Sequence, residues 1–512
     1  MAAAKRPKII VVKEDFRASD IASTEVASMV TGAQVSDSVS MLSTDFEPTE
    51  TDILASDELN FVAAQLTEKE AKELASKPGI EAVEDDEEVF ALSNGLDDEE
   101  SDLGNVPIDI DTEAAEEIDA AEVEVDDMTD EEAQSLASTE LMRPVAQFDE
   151  VEFDEMGQVL RLDEGIDPGM IVAGEAAGIP RDKIVKLIKC VIQCALKELA
   201  SGQAAEVSEE QVAALLSQHG VAGGTPSAQA IRDYITCGLR IIYARYAWRF
   251  STGSGVRVAV VDTGIAPRHP DLAVYGGASF VSGTSWADDN GHGTHVAGTI
   301  AARLNNRGLV GVAPHARLYA VKVLNRNGSG STSGVLSGLA WCYRYGMHVV
   351  NLSLGSGATT HAWNNYSRAY ERAGQRLRRR GILAVAAAGN SGRTSRPFVG
   401  NPARCPSFMA VSSIDCNRRR SPFSSYGPQV EICAPGSDVW STYPPNGYRR
   451  LSGTSMATPH VAGVAALVKR RHPSWHGDRI RVHMWRTALD LGSAGRDWIY
   501  GYGQVHAYAA VR

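Results

Sequence analysis

Four runs of the chain are apolar almost without a break: VRVAVVDTG at 256–264, RLYAVKVL at 317–324, HVVNLSLG at 348–355 and ILAVAAAGN at 382–390. A strand with one wet face alternates apolar and polar residues, and these runs do not. Near-continuous runs of this length belong to parallel strands covered on both faces. Helix-like stretches separate them, as crossovers between parallel strands require. The second half of the chain therefore predicts an α/β domain built on a parallel sheet flanked by helices.

Chemistry-bearing residues fall at the ends of these strands or at helix starts. Asp262 follows VRVAVV, His292 lies in DDNGHGTHVAGTIAA, Asn390 ends ILAVAAAGN and Ser455 lies in LSGTSMATPHVAGVAAL. A serine hydroxyl is a weak nucleophile and needs a base within reach. Histidine supplies one, since its pKa lies near neutrality. A carboxylate holds the imidazole in one tautomer, and a side-chain amide can stabilise an oxyanion. Acid, imidazole and hydroxyl follow one another in the order Asp, His, Ser.

The strings DTGIAPRHPDL, GHGTHVAGT, AAAGN and GTSMATPHVAG, in that order, resemble the subtilases, the subtilisin-like serine peptidases, over residues ~240–512. The resemblance implies that Asp262, His292 and Ser455 form a catalytic triad and that Asn390 donates to the oxyanion. It implies that substrate backbone adds as a strand between Gly328-Ser329-Gly330 and Ser353-Leu354-Gly355. The primary specificity pocket would be lined by Ala387 to Gly389 and closed by Gly400. A glycine floor leaves room for a large apolar side chain, and few acidic residues are available to favour Arg. Asp271 and Asn305 match the family's calcium site, with oxygen ligands suited to a hard cation. No organic cofactor is expected.

The first 92 residues resemble the family's inhibitory propeptide, which implies a ferredoxin-like α+β prodomain. KIIVVK and NFVAAQL read as strands. Thr67 and Glu70 form a capping-box pattern at the start of TEKEAKELASK. IEAVEDDEEVFAL reads as a last strand with an extended tail. The resemblance implies autocleavage near Leu92-Ser93, with the propeptide acting in cis.

The net charge of −16 averages over unlike segments. Residues 1–96 carry −12, 97–164 carry −24, 165–230 carry −2 and 231–512 carry +22. Of the 34 basic residues in 231–512, only Lys322 and Lys469 are lysines. Residues 97–164 have no sustained apolar period and too little apolar surface to offset ordering entropy. The organisation expected is 1–92 propeptide-like domain, 93–164 acidic flexible linker, 165–230 helical insertion and 231–512 catalytic domain. Within 180–200, Ile184, Leu187, Ile188, Val191, Ala195 and Leu199 share one helix face. A further helix is expected over 227–248.

Seven cysteines and no leader-like segment suggest reduced thiols. No run of ~18 apolar residues predicts a membrane span. The expectation is a monomer acting on proteins or peptides, without nucleic acid or membrane, in the cytoplasm or exported by a leaderless route. Two other readings compete. One is a scaffold with a vestigial protease fold, which an intact Asp, His and Ser set weighs against. The other is a nucleic-acid-associated protein, prompted by the basic triplets at 378–380, 418–420 and 469–471.

Overall fold

The computed structural model describes residues 4–30, 34–37, 52–93, 233–356, 366–395 and 397–512. The acidic linker, the helical insertion and the helix expected at 180–200 lie outside the described residues. Residues 1–101 and 231–512 form one compact unit.

The C-terminal half, the one expected to be catalytic, is built on a seven-stranded parallel sheet. Its strands are β7 (Arg257–Asp262), β8 (Val274–Ser279), β9 (Arg317–Lys322), β11 (Val349–Leu352), β13 (Leu383–Ala387), β14 (Met409–Ile414) and β15 (Val430–Pro435). Their order across the sheet is β15-β14-β13-β11-β7-β9-β8. In β7, Val258 and Val260 join one buried apolar cluster, and Ala259 and Val261 join the other. Successive side chains of a strand point to opposite faces. Burial on both faces thus explains the uninterrupted apolar runs. Helices α5 (His292–Ala301) and α8 (Thr454–Arg471) cover one face. Helices α6 (Thr332–Arg344) and α7 (Arg368–Arg379) cover the other. The strands β8, β14 and β15 lie beyond the four runs that the sequence marks.

The N-terminal segment forms a five-stranded sheet of order β2-β3-β4-β1-β5. The strands are β1 (Arg6–Val12), β2 (Gln34–Asp37), β3 (Asp52–Ser56), β4 (Phe61–Leu66) and β5 (Ile80–Asp85). Helices α1 (Ala18–Ile21) and α2 (Glu68–Ala75) complete it. The capping box at α2 is formed, with Thr67 and Glu70 bonded reciprocally. Alternation divides β1: Ile10 and Val12 pack within this unit, whereas Ile9 and Val11 join the cluster that contains Val335, Leu336 and Leu339 of α6.

Two expectations are corrected. Cys237 and Cys416 form a disulfide, with Cα atoms 6.1 Å apart and a sequence separation of 179. The expectation of seven reduced thiols fails because tertiary folding, which spacing does not reveal, brings this pair together. Cys342, Cys405 and Cys433 are buried free thiols. The helix expected over 227–248 is, within the described residues, two short ones, α3 (Cys237–Ile241) and α4 (Ala244–Ala247). Tyr243 between them adopts φ +59°, which no continuous α-helix accepts. Among the described residues, no helix is long and apolar enough to cross a membrane.

Candidate active site

β7 ends on Asp262, which is fully buried and accepts the Thr263 backbone N–H at 2.7 Å. His292 is the first residue of α5, and its Nδ1 lies 2.7 Å from Asp262 Oδ1. If Nδ1 carries the proton shared with Asp262, Nε2 presents a lone pair. Nε2 is buried and has no hydrogen-bond partner. The loop before His292 is held by Asp288, which the sequence reading did not single out. Its carboxylate accepts from Asn290 N, Gly291 N, Thr294 N, Thr263 Oγ1 and Thr294 Oγ1. An aspartate shortly before a helix start was the available signal, since Asp commonly satisfies the free N–H groups there.

Ser455 is the second residue of α8. Its Oγ donates to Ser353 O at 2.8 Å, and Ser353 Oγ donates back to Ser455 O at 2.8 Å. The hydroxyl is therefore turned toward the Ser353 carbonyl and bonded there, not to the imidazole. Asn390 follows β13. Its Oδ1 accepts from Thr454 N and Thr454 Oγ1, both at 3.0 Å, which aims Nδ2 away from them. Nδ2 donates to the Leu92 carbonyl at 2.8 Å, and Ser455 N approaches the same oxygen at 3.4 Å. The first N–H groups of a helix lack intrahelical acceptors, so the start of α8 and a fixed amide converge on one carbonyl oxygen.

That carbonyl belongs to the N-terminal segment. Strand β6 (Glu88–Ala91) lies between β10 (Ser329–Ser331) and β12 (Leu354–Gly355) in an antiparallel three-stranded sheet. Ser329 opposes Phe90, Gly330 opposes Val89 and Leu354 opposes Ala91. Ala91 N donates to Gly328 O at 2.9 Å, and Leu92 N to Ser353 O at 3.3 Å. A Cβ added to Gly355 would lie 3.2 Å from Leu92 Cδ1. One added to Gly453 would lie 2.3 Å from Leu92 O, so no other residue permits this approach. Ala387 ends β13, and Gly389 N donates to Thr454 Oγ1 at 3.1 Å. Gly400 N donates to Ala388 O at 3.2 Å. Residues 328–330 and 353–355 thus flank β6 and Leu92, while Gly389 and Gly400 lie against each other and Gly400 against the Ser356 backbone.

The acidic residues just before β6 cap two helices. Ser333 N donates to Asp86 Oδ1 at 2.8 Å and Ser333 Oγ to Asp86 Oδ2 at 2.5 Å, at the start of α6. At the start of α7, Arg368 N and Ser367 Oγ each donate to Glu84 at 2.7 Å. A negative charge at a helix N-terminus is stabilising. Burial pushes the Asp86 carboxyl above its ordinary pKa.

The two residues expected to bind calcium do meet. Asn305 Nδ2 donates to Asp271 Oδ1 at 3.0 Å. Burial pushes the Asp271 carboxyl up to about 6, and the Asp233 charge adds to this. Asp233, unforeseen in the sequence, accepts from the backbone of Asn305, Asn306 and Arg307. Asn305 Oδ1 is buried without a partner. Oxygen donors and an orphaned carbonyl suit a hard cation, so these residues fit calcium in kind. Among the described residues, no group of three His, Cys, Asp or Glu side chains stands ready to hold a metal.

Comparison with known proteins agrees with this geometry. Residues 253–503 match the subtilase family. The chain is 55% identical over 262 residues to Subtilisin Savinase of Lederbergia lenta, covering 51% of this chain and 92% of that protein. The chain belongs to the subtilase family. It is a subtilisin-like serine endopeptidase. It is also 54% identical over 261 residues to the Thermostable alkaline protease of Halalkalibacterium halodurans, covering 51% of this chain and 68% of the other. Subtilisin DY of Bacillus licheniformis is 47% identical over 264 residues, covering 51% of this chain and 92% of its own. These matches span about half of this subtilase.

Proposed function

We propose that this endopeptidase is made as a self-inhibited zymogen that cuts itself between Leu92 and Ser93. The observation that carries the reading is the Leu92 carbonyl, which receives Asn390 Nδ2 and Ser455 N while β6 lies between β10 and β12. Asp262 holds the His292 imidazole, His292 Nε2 takes the Ser455 proton, and Ser455 Oγ attacks the carbonyl carbon. Asn390 Nδ2 and Ser455 N stabilise the resulting oxyanion. Attack requires Ser455 Oγ to leave Ser353 O and turn to Nε2. His292 then returns the proton to the leaving amine of Ser93, and a water deprotonated by the same imidazole hydrolyses the Leu92–Ser455 ester, releasing the Leu92 carboxylate and restoring the Ser455 hydroxyl. Residues 328–330 and 353–355 hold exogenous substrates as they hold β6, and the enzyme prefers a large apolar residue before the scissile bond.

After the cut, residues 1–92 remain as an inhibitor held by their strand pairing, their apolar face and their two caps. The order β3-β4-β1-β5 supports a ferredoxin-like reading, with β2 as an added edge strand. Calcium would be held by Asp271 and Asn305 and would tie the 305–309 loop to the segment after β7. The −24 segment at 97–164 stays joined to the catalytic half and acts as a salt-sensitive brake or solubiliser. The enzyme works on proteins or peptides as a monomer, without nucleic acid or membrane.

Fluorophosphonate labelling tests the chemistry. The wild type should label at Ser455, and Ser455→Ala should not label at all. His292→Ala should label more slowly by roughly 10⁴-fold or more. Rapid labelling of His292→Ala would remove the acid–base assignment.

A further inference from the structure

Lys322 is the last residue of β9 and is completely buried. Its Nζ donates to Thr263 O at 2.7 Å, to Asp289 Oδ1 at 2.5 Å and to Leu324 O at 3.1 Å. An ammonium has three donors, and all three are used. Each acceptor lies on a different working segment. Thr263 directly follows Asp262. Asp289 sits in the loop that leads to His292. Leu324 begins the turn into β10, where Asn325 N donates to Ser329 O at 2.8 Å.

Lys322 is a side chain that bonds to all three of these segments at once. Lys322 is also the register partner of Asp262 across β7 and β9. Val323 N and Leu324 N both donate to Asp262 O, at 2.9 and 3.2 Å. The acid's own backbone is thereby tied to the same turn. Asp288 orders the loop from one side, and the neighbouring Asp289 takes the ammonium on the other.

The residue type fits this task. Nearly every cation in 231–512 is an arginine, and Lys322 is one of two exceptions. Guanidinium donors lie in a plane and form a fork, which suits paired acceptors. Three acceptors around one point suit the tetrahedral ammonium. A buried charge without partners would be strongly unfavourable, so the lysine is tolerated there only because the three segments converge on it.

We infer that Lys322 is a positioning residue for catalysis, setting the acid, the imidazole loop and the substrate-binding edge at a fixed distance from one another. It touches no substrate and acts through Thr263, Asp289 and Leu324. The inference rests on the proposed roles of Asp262 and His292. A misplacement of about 1 Å at a reacting group can cost roughly 10²-fold in rate.

The test uses the full-length chain, with Lys322→Met, Asp289→Asn and His292→Ala compared with wild type. Turnover per active site, KM for a short peptide substrate, the fluorophosphonate labelling rate and Tm are measured for each. For Lys322→Met, kcat and labelling should both fall by roughly tenfold to 10²-fold, with KM within about threefold. Asp289→Asn keeps an acceptor but loses the charge, so its kcat should fall by a smaller factor, roughly threefold to tenfold, with native Tm nearly kept. Unchanged kcat and labelling in folded Lys322→Met, with only Tm lowered, would overturn the inference in favour of a purely structural lysine. If Lys322→Met does not fold, Asp289→Asn decides, and wild-type kcat there overturns it. Retained labelling in His292→Ala would instead overturn the acid–base reading, a result distinct from either.

Discussion

The two sheets of this protein bury their faces differently. The catalytic sheet is covered on both sides by helices of its own half, α5 and α8 on one and α6 and α7 on the other. The N-terminal sheet covers one face with its own helices and turns the other, through Ile9, Val11, Phe61 and Ala63, to the catalytic half. Its apolar strands are thus satisfied only in contact. A small sheet with two apolar faces and one layer of helices is built to be held, and the catalytic half needs no such partner for its core. The charges follow the same division. Acidic residues of the first segment meet arginines of the second: Arg344 pairs with Glu58 and Asp37, Arg372 with Glu14 and Glu81, and Arg379 with Glu14.

The comparison can be broken most sharply at the oxyanion contact. Asn390→Ala removes a donor that both the N-terminal unit and any substrate would use. Turnover should fall by roughly 10²–10³-fold while Tm stays near wild type, as read from peptide hydrolysis and calorimetry. Wild-type turnover would separate the Leu92 contact from catalysis.

The helix caps give the next effect. Glu84→Ala and Asp86→Ala each leave N–H groups at the start of a helix uncapped. Each loss should cost about 1 kcal/mol, so the cleaved N-terminal unit should inhibit roughly fivefold less tightly per substitution. Inhibition curves with the released unit measure this. Removing Arg344, whose side chain is one-third exposed, should matter less, by at most about 1 kcal/mol, and less still at high salt. Equal effects of cap and ion-pair removal would show that general charge holds the unit.

Acid pH should act on the catalytic half. Burial pushes His295 down to about 3 and His460 down to about 4, and burial with the Arg257 charge pushes His348 down to about 4. In the unfolded chain a histidine titrates near ~6.5. The unfolded state therefore binds protons that the native state refuses, and stability present above pH ~6.5 is lost as pH falls toward 4. Each histidine can contribute up to about 1.4 kcal/mol per pH unit. Tm should drop across this window, and His460→Gln should make the drop shallower. A flat Tm from pH 7 to 4 would contradict it.

Much of this was legible in the sequence because the signals were local. The apolar runs identify four strands of the catalytic sheet; Asp262 meets His292, and Asn390 and Ser455 meet at the Leu92 carbonyl. Thr67 and Glu70 mark their helix without tertiary help. What escaped depends on distant partners. The disulfide joins Cys237 to Cys416, Asp233 reaches the 305–307 backbone, and Glu84 and Asp86 cap helices some 250 residues or more away in sequence. The acidic run EDDEE reads only as part of a last strand with an extended tail until the helix starts are placed opposite it. Lys322 is likewise ordinary within an apolar strand until its three acceptors are seen.

The central claim is that Leu92 is the residue before the cut and that Ser455 makes it. The direct measurement is N-terminal sequencing and intact mass of every band from purified wild type and Ser455→Ala. Wild type should yield a fragment ending at Leu92 and a second chain beginning Ser93-Asn94-Gly95, and Ser455→Ala should remain a single chain of 512 residues. Cleavage at Leu92 in the Ser455→Ala protein, or a wild type cut only elsewhere, would contradict the account.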